Sequence, residues 1–194
     1  AFNQNSMLSA FAIMVGTGKG AEHGILIKGG EPLQAAKNID SIVFDKTGTL
    51  THGKPQLTDV IALGSISERD VVQLAASLEQ TSEHPLAASI VAAAKQQKLA
   101  LKDVSKFSAV PGHGVMGSIS KKTILLGNRK LITAKSKAKL ASVEDELRLF
   151  EAAGKTAMIL ADTEKVYGVI AVADTVKPSS KAAVEALKQL GIEV

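Results

Sequence analysis

Apolar positions along the chain recur with two periods, that of an α-helix and that of a β-strand. Spacings of three and four residues predict helices at 31–38, 67–78, 85–97, 128–133, 142–153 and 178–190. Alternating or continuous apolar runs predict strands at 25–28, 41–44, 56–63, 104–110, 114–119, 122–127, 156–161 and 165–173, with another beginning at 192. Ser67 and Ser142 are predicted helix caps, and Pro85 is the predicted first residue of its helix.

The predicted elements are distributed asymmetrically along the chain. A strand and loop at 40–54 and a helix and strand at 174–194 flank a middle block, in which strands and helices follow one another in an α+β pattern. Such an order is expected of one domain inserted into another. Residues 1–11 are left unassigned as a tail.

Composition narrows the functions that such a chain can serve. The 194 residues include no Cys, which excludes disulfides, thiolate metal sites and Cys nucleophiles. Aromatic residues make up 3%, so base stacking on aromatic side chains is not expected and no nucleic-acid partner is predicted. The net charge of +4 suits a small anionic ligand, and the basic run at 129–139 is predicted to be a solvated face. The most apolar stretch, at 7–15, is roughly half of the ~20 residues that cross a bilayer.

One short motif carries the candidate chemistry. Residues 45–51 read DKTGTLT and follow the predicted strand at 41–44. Asp45 at the end of a buried strand can attack a phosphoryl group and form an aspartyl phosphate, while Lys46 balances the phosphate charge. The Thr hydroxyls, with backbone N–H groups near Gly48, can hold the phosphoryl oxygens. A plain turn after a strand is the alternative for a bare D-K-T-G, and the complete seven-residue motif argues against it.

This heptapeptide resembles the phosphorylation signature of P-type ATPases. The resemblance implies that ATP phosphorylates Asp45, with Mg²⁺ bound by Asp45 and the carbonyl of Thr47. It also implies an α/β (α+β) fold, in which an antiparallel-sheet nucleotide-binding domain with flanking helices is inserted into an incomplete HAD-like Rossmann phosphorylation domain. HAD-type phosphatases place a second Asp two residues after the nucleophile. Thr47 stands there in this chain, and an aspartyl phosphate without that acid–base group persists longer.

A second motif, S-E-H-P-L at 82–86, resembles the nucleotide-binding signature of the heavy-metal (type IB) P-type ATPases. The G-x-G-V element at 112–115 and the G-N element at 127–128 resemble further parts of that site. By this resemblance His84 stacks on or near adenine, and Glu83 contacts the base. The two glycines of G-x-G let the backbone approach the nucleotide, the Asn of G-N orders the pocket, and His113 between the glycines is a bystander. The residues assigned to the site are Glu83, His84, Gly112, Gly114 and Asn128.

The resemblance covers about 12–194 and suggests a division of the chain. Residues 12–54 are the expected lead-in and first part of the phosphorylation domain, 55–172 the nucleotide-binding domain, and 173–194 the return to the phosphorylation domain, with Asp174 near the hinge. The phosphorylation domain is expected to be truncated, since the family's T-G-D and G-D-G-x-N-D elements do not occur in the sequence.

The resulting functional prediction is a part of a metal-exporting translocase. ATP and Mg²⁺ are the expected cofactors, and the transported ion, Cu⁺ by preference, is expected to bind outside this segment. The expected partners are the membrane helices, the actuator domain and the rest of the phosphorylation domain, and the segment itself is predicted to be cytoplasmic and monomeric and to bind ATP without turnover. A Zn²⁺/Cd²⁺ exporter, a non-catalytic nucleotide-binding module and a HAD-type phosphatase remain alternatives.

Overall fold

The computed structural model describes the backbone of residues 4–194 and the side chains of residues 11–194. Contacts divide the chain into two compact units. The first contains the residues up to Phe44 together with Pro178–Val194, and the second is Asp45–Lys177.

The first unit is mostly helical. It contains α1 (Gln4–Glu22), α2 (Gly30–Ala35) with a following 3-10 turn (Ala36–Asn38), and α7 (Pro178–Gln189). Residues 4–11 of the unassigned tail therefore belong to α1, and residues 1–3 lie outside the described ones. No helix in the described part of the chain combines the length and apolar character that a bilayer crossing requires.

All three predicted strands of the first unit are wrong or much reduced, and the one beginning at 192 is represented only by Glu193. Residues 25–28 form no strand, because no described segment pairs with them. The strand predicted at 41–44 is reduced to a single parallel bridge between Ser41 and Glu193. There the N–H of Ile42 donates to the carbonyl of Glu193 over 2.8 Å. An apolar run becomes a strand only where a neighbouring segment supplies a ladder of hydrogen bonds.

The second unit is built on one six-stranded antiparallel sheet, in the order β1-β6-β5-β4-β3-β2. This arrangement confirms the predicted mixed fold with an antiparallel sheet and flanking helices. The first and last strands are neighbours, with Thr51 paired to Val176. The strands are β1 (Thr51–Ala62), β2 (Ser105–Val110), β3 (Gly114–Ile119), β4 (Lys122–Gly127), β5 (Thr156–Asp162) and β6 (Val166–Val176). The helices are α3 (Glu68–Glu79), α4 (Ala87–Gln96), α5 (Arg129–Lys135) and α6 (Glu144–Ala152), with a 3-10 turn at Leu140–Ser142.

Both faces of the sheet are covered by helices. Successive residues of a strand point to opposite faces, so Leu126 and Ile170 pack with α3 and α4, while Leu125 and Val169 pack with α5 and α6. All four side chains are fully buried. This double burial explains why β4, β5 and β6 have continuous apolar sequences rather than alternating ones.

Two of the predicted helix starts are wrong. Ser67 does cap α3, in a reciprocal capping box with Asp70, as predicted. In contrast, α4 begins at Ala87, because the backbone at Pro85 is used in a turn closed by the Ala87 N–H and the His84 carbonyl, 2.9 Å apart. Ser142 caps nothing, since it lies in the 3-10 turn that precedes α6.

The predicted solvated basic face is also partly wrong, because Arg129 ties α5 to α6. Its guanidinium donates to the carboxylates of Glu144 and Glu151, with 3.0 Å between Nε and Glu144. Hydrogen bonds to Glu151 and Glu144 raise the pKa of Arg129 above its ordinary value. The Arg129 side chain remains about a third exposed, so its ion pairs contribute little to the free energy of unfolding. Their main effect is to hold α5 beside α6.

Candidate functional site

A cavity of about 380 Å³ opens between the end of α3, the segment before α4, and one end of the sheet. Apolar side chains such as Val110, Val115 and Met158 form part of its wall. The cavity brings together all five residues that the sequence assigned to nucleotide binding: Glu83, His84, Gly112, Gly114 and Asn128.

His84 is fixed by its own backbone neighbours. Its Nδ1 accepts the N–H of Leu86 at 3.2 Å, and its N–H donates to the hydroxyl of Ser82 at 3.2 Å. Because Nδ1 accepts a hydrogen bond, the proton of the neutral ring lies on Nε2. The side chain is exposed at the cavity, as is that of Glu83, so a flat ligand can stack on the imidazole.

The turn between β2 and β3 requires its two glycines for different reasons. Gly112 has φ +72° and faces open space, which leaves room for a ligand beside the backbone. Gly114 has φ +139°, and a Cβ there would lie 2.2 Å from the carbonyl oxygen of Leu126. At Gly114 the close approach is therefore made by the backbone of β4 itself.

Replacing Gly114 by Ala should lower the free energy of unfolding by about 3 kcal/mol, since it adds both backbone strain and a clash. Gly112→Ala is the matched control, because it adds the left-handed strain alone, at about 1 kcal/mol. Urea unfolding of both variants measures the difference. Equal losses would show that the clash with β4 is relieved at no cost.

Asn128 joins this turn to the start of α5. Its Oδ1 accepts the N–H of Leu131 at 3.1 Å, and its Nδ2 donates to the carbonyl of Gly112 at 3.0 Å. The backbone N–H of Asn128 donates to the carbonyl of His113 at 2.9 Å. His113 itself also lines the cavity, with its Nδ1 2.8 Å from the carbonyl of Pro111.

Sequence reasoning missed Glu79, the last residue of α3. This residue lines the cavity and is only 5% exposed, and its Oε2 has no hydrogen-bond partner within the described structure. Burial raises the pKa of Glu79, and a hydrogen bond from Ser82 and the charge of His84 oppose that change. The sequence could have identified Glu79 by its position four residues after Ala75, because that spacing places its carboxylate on the apolar face of the helix.

The DKTGTLT segment forms an exposed, irregular turn (Lys46–Leu50) ahead of β1. The N–H of Thr51 donates to the carbonyl of Lys46, five residues earlier, and Gly48 takes φ +78°. The side chains of Asp45, Lys46 and Thr47 are exposed and do not line the cavity. Backbone N–H groups near Gly48 are predicted to hold phosphoryl oxygens, whereas the N–H of Gly48 itself donates to the hydroxyl of Thr51 at 3.1 Å.

Asp174, the predicted hinge residue, lies in β6 beside the start of β1. Its Oδ2 accepts the hydroxyl of Thr51, while its Oδ1 is buried without a partner in the described structure. Within the described residues, no cluster of three or more His, Asp or Glu side chains has the arrangement of a metal site.

Comparison with known proteins decides the family. Residues 39–194 match the model of the family described as haloacid dehalogenase-like hydrolase. The chain belongs to this family. The haloacid dehalogenase-like assignment agrees with the fold expected from the sequence.

Proteins similar to this chain in sequence and in structure include metal-transporting ATPases. The chain is 46% identical over 183 residues to a copper-exporting P-type ATPase of Staphylococcus aureus strain MW2. The alignment covers 94% of this chain and 22% of the relative. The chain thus spans about a fifth of the length of the curated relatives it matches.

Solved structures agree with that comparison. A zinc-transporting PIB-type ATPase in its E2.Pi state matches with a TM-score of 0.84 at 32% identity, over 95% of this chain and 30% of that one. The N-domain of HMA8, a copper-transporting P-type ATPase, matches with a TM-score of 0.53 at 26% identity, over 61% of this chain and 99% of that one. The predicted resemblance to heavy-metal P-type ATPases is confirmed.

Proposed function

We propose that this chain binds ATP and accepts its γ-phosphate on Asp45 as part of a copper-exporting P-type ATPase in a membrane. The observation that carries the proposal is that one cavity is lined by all five residues of the nucleotide signature. The copper-exporting relative at 46% identity supports the choice of ion.

The cavity suits an adenine base. Its apolar wall accepts the flat ring, and the exposed imidazole of His84 offers a stacking surface. The unpartnered Oε2 of Glu79 can accept a hydrogen bond from the exocyclic amine of adenine. Guanine carries an acceptor oxygen at the corresponding position, so a carboxylate acceptor discriminates against it.

The proposed chemical step is attack by a carboxylate oxygen of Asp45 on the γ-phosphorus of ATP. A bond forms between that oxygen and phosphorus, the bond from phosphorus to the β–γ bridging oxygen breaks, and ADP leaves with the electron pair. The ammonium of Lys46 compensates the charge of the transferred group. Thr47 cannot act as a carboxylate base for water, which favours a long-lived aspartyl phosphate.

The residues at the turn also fit Mg²⁺. The carboxylate of Asp45 and the carbonyl of Thr47 are hard oxygen ligands, and Mg²⁺ typically takes one or two protein carboxylates together with substrate phosphates. When bound, the ion would neutralise charge on the phosphoryl oxygens.

The remaining assignments follow from this proposal. Residues 55–172 form the nucleotide-binding domain, with 12–54 and 173–194 as parts of the phosphorylation domain and Asp174 at the hinge. The N-domain of HMA8 aligns with 61% of the chain, which supports an inserted domain of this size. The transported Cu⁺ binds elsewhere in the pump, and the membrane helices, the actuator domain and the rest of the phosphorylation domain are the partners.

His84→Ala tests the nucleotide site. Loss of the stacking surface should weaken ATP binding by about fivefold to a hundredfold, since stacking on one ring contributes about 1–3 kcal/mol. Calorimetric titration of the chain with ATP measures the change. His52→Ala is the matched control, because His52 is also exposed but does not line the cavity. Unchanged affinity in His84→Ala would remove the adenine assignment.

Two alternatives remain open to a direct test. The likeness to a zinc-transporting ATPase favours Zn²⁺ as the second candidate ion. ATP-driven uptake of Cu⁺ or Zn²⁺ into vesicles that contain the complete pump separates the two ions. A HAD-type phosphatase would instead release phosphate from monoesters without accumulating an aspartyl phosphate.

A further inference from the structure

Three consecutive carbonyl groups of the DKTGTLT turn are bound by one residue, Lys177. Its ammonium donates to the carbonyl oxygens of Gly48 at 2.9 Å and Thr49 at 3.1 Å. Its backbone N–H donates to the carbonyl of Leu50 at 2.9 Å. Since C=O and N–H point in opposite directions in a trans peptide, these contacts also direct the N–H groups of Thr49 and Leu50 away from Lys177.

Thr51 extends this set of hydrogen bonds toward Asp45, and it is only 1% exposed. Its hydroxyl accepts the N–H of Gly48, and its N–H donates to the carbonyl of Lys46, the residue next to Asp45. The peptides anchored by Lys177 are therefore connected by hydrogen bonds to the residue beside the phosphate acceptor.

Lys177 is itself well placed to anchor a loop. It directly follows β6 and directly precedes Pro178, a position where the backbone is restricted to extended conformations. Among the described residues it makes no ion pair, so the recorded partners of its ammonium are the two carbonyls. Its charge can polarise those two peptides, which strengthens their N–H groups as donors.

We propose that Lys177 is a positioning residue for the phosphorylation of Asp45, holding the turn in the shape from which the carboxylate attacks. This inference rests on the proposed function, since it concerns the same transfer of the γ-phosphoryl group from ATP to Asp45 with release of ADP. Lys177 acts through the loop and needs no contact with ATP, so it should affect the rate of transfer and not the binding of nucleotide.

The test uses Lys177→Met and Lys177→Arg, with Lys181→Met as the matched control, because Lys181 is an exposed lysine in α7. In the complete pump at saturating ATP, Lys177→Met should form acyl phosphate about tenfold more slowly, because small misplacement of reacting groups costs about one to two orders of magnitude. Calorimetry of the chain should give ATP affinities within about twofold of each other for all variants. Lys177→Arg should recover part of the rate, and Lys181→Met should match the wild type.

Each contrary result has a distinct meaning. A normal rate in Lys177→Met, an equal loss of rate in Lys181→Met, or no recovery by Arg overturns the positioning role while leaving the proposed function intact. A loss of ATP affinity as large as the loss of rate also overturns it, because it indicates a general disturbance of the unit. Absence of acyl phosphate in the wild type overturns the proposed function and this inference together.

Discussion

Replacing Asp45 by Asn should reduce acyl phosphate formation in the complete pump by about a thousandfold or more, since no carboxylate remains to attack the γ-phosphorus. Binding of ATP by the chain should remain within about twofold of the wild type, because Asp45 does not line the cavity. Acid-stable, hydroxylamine-sensitive incorporation of label from γ-labelled ATP measures the product.

Asp103→Asn provides the control for this experiment. Asp103 is an exposed carboxylate outside both the turn and the cavity, so its loss changes the charge by the same amount. Label that persists in Asp45→Asn would place the acceptor at another residue. A non-catalytic nucleotide-binding module would give no label in any form of the protein, with ATP affinity unaffected by either substitution.

Replacing Glu79 by Ala should weaken ATP binding by about tenfold to a hundredfold, the range expected for a hydrogen bond to a charged acceptor. The variant should also lose its preference for ATP over GTP, because the carboxylate acceptor is the group that distinguishes the two bases. Calorimetric titration with both nucleotides measures affinity and preference. Glu83→Ala is the matched comparison, since Glu83 borders the same cavity but is exposed.

The comparison separates two interpretations of the site. A larger loss in Glu83→Ala would restore the assignment made from the sequence, in which Glu83 contacts the base. A larger loss in Glu79→Ala assigns the contact to the buried carboxylate. An ATP affinity unchanged from the wild type in both variants would mean that neither carboxylate contacts adenine.

The same carboxylate should make stability depend on pH. Burial raises the pKa of Glu79 above its ordinary value of 4.5, so the folded protein holds this proton more tightly than the unfolded chain. Its contribution to stability is therefore present below that ordinary value and is lost as pH rises through the raised one. Glu79→Gln removes the titration, and its melting temperature relative to the wild type should rise as the pH increases above the ordinary pKa of 4.5.

The resemblance to heavy-metal P-type ATPases pointed to five of the residues that line the cavity, because the motifs that carry it are short and continuous in the sequence. The cap that Asn128 forms on α5 is seen only in the structure. The segments that contain the motifs meet because the apolar runs of β3, β4 and β5 pair as neighbouring strands. The motifs therefore identify the side chains, and the pairing of the strands brings those side chains together at the cavity.

The residues that sequence reasoning missed depend on distant partners. Lys177 contacts Gly48 across 129 positions of sequence, and no local pattern marks that pairing. The position of Glu79 on the apolar face of α3 could be inferred locally, but its exposure of only 5% is seen only in the folded structure. The strand predicted at 25–28 failed for the related reason that no described segment offers it a hydrogen-bonding edge.

The pairing of Thr51 with Val176 gives the second unit both of its ends at one place. Neighbouring strands lie about 4.8 Å apart, so the backbone that enters the sheet at Thr51 leaves it at Val176 about one strand spacing away. Loops within the unit can then lengthen, shorten or diverge without moving the two attachment points.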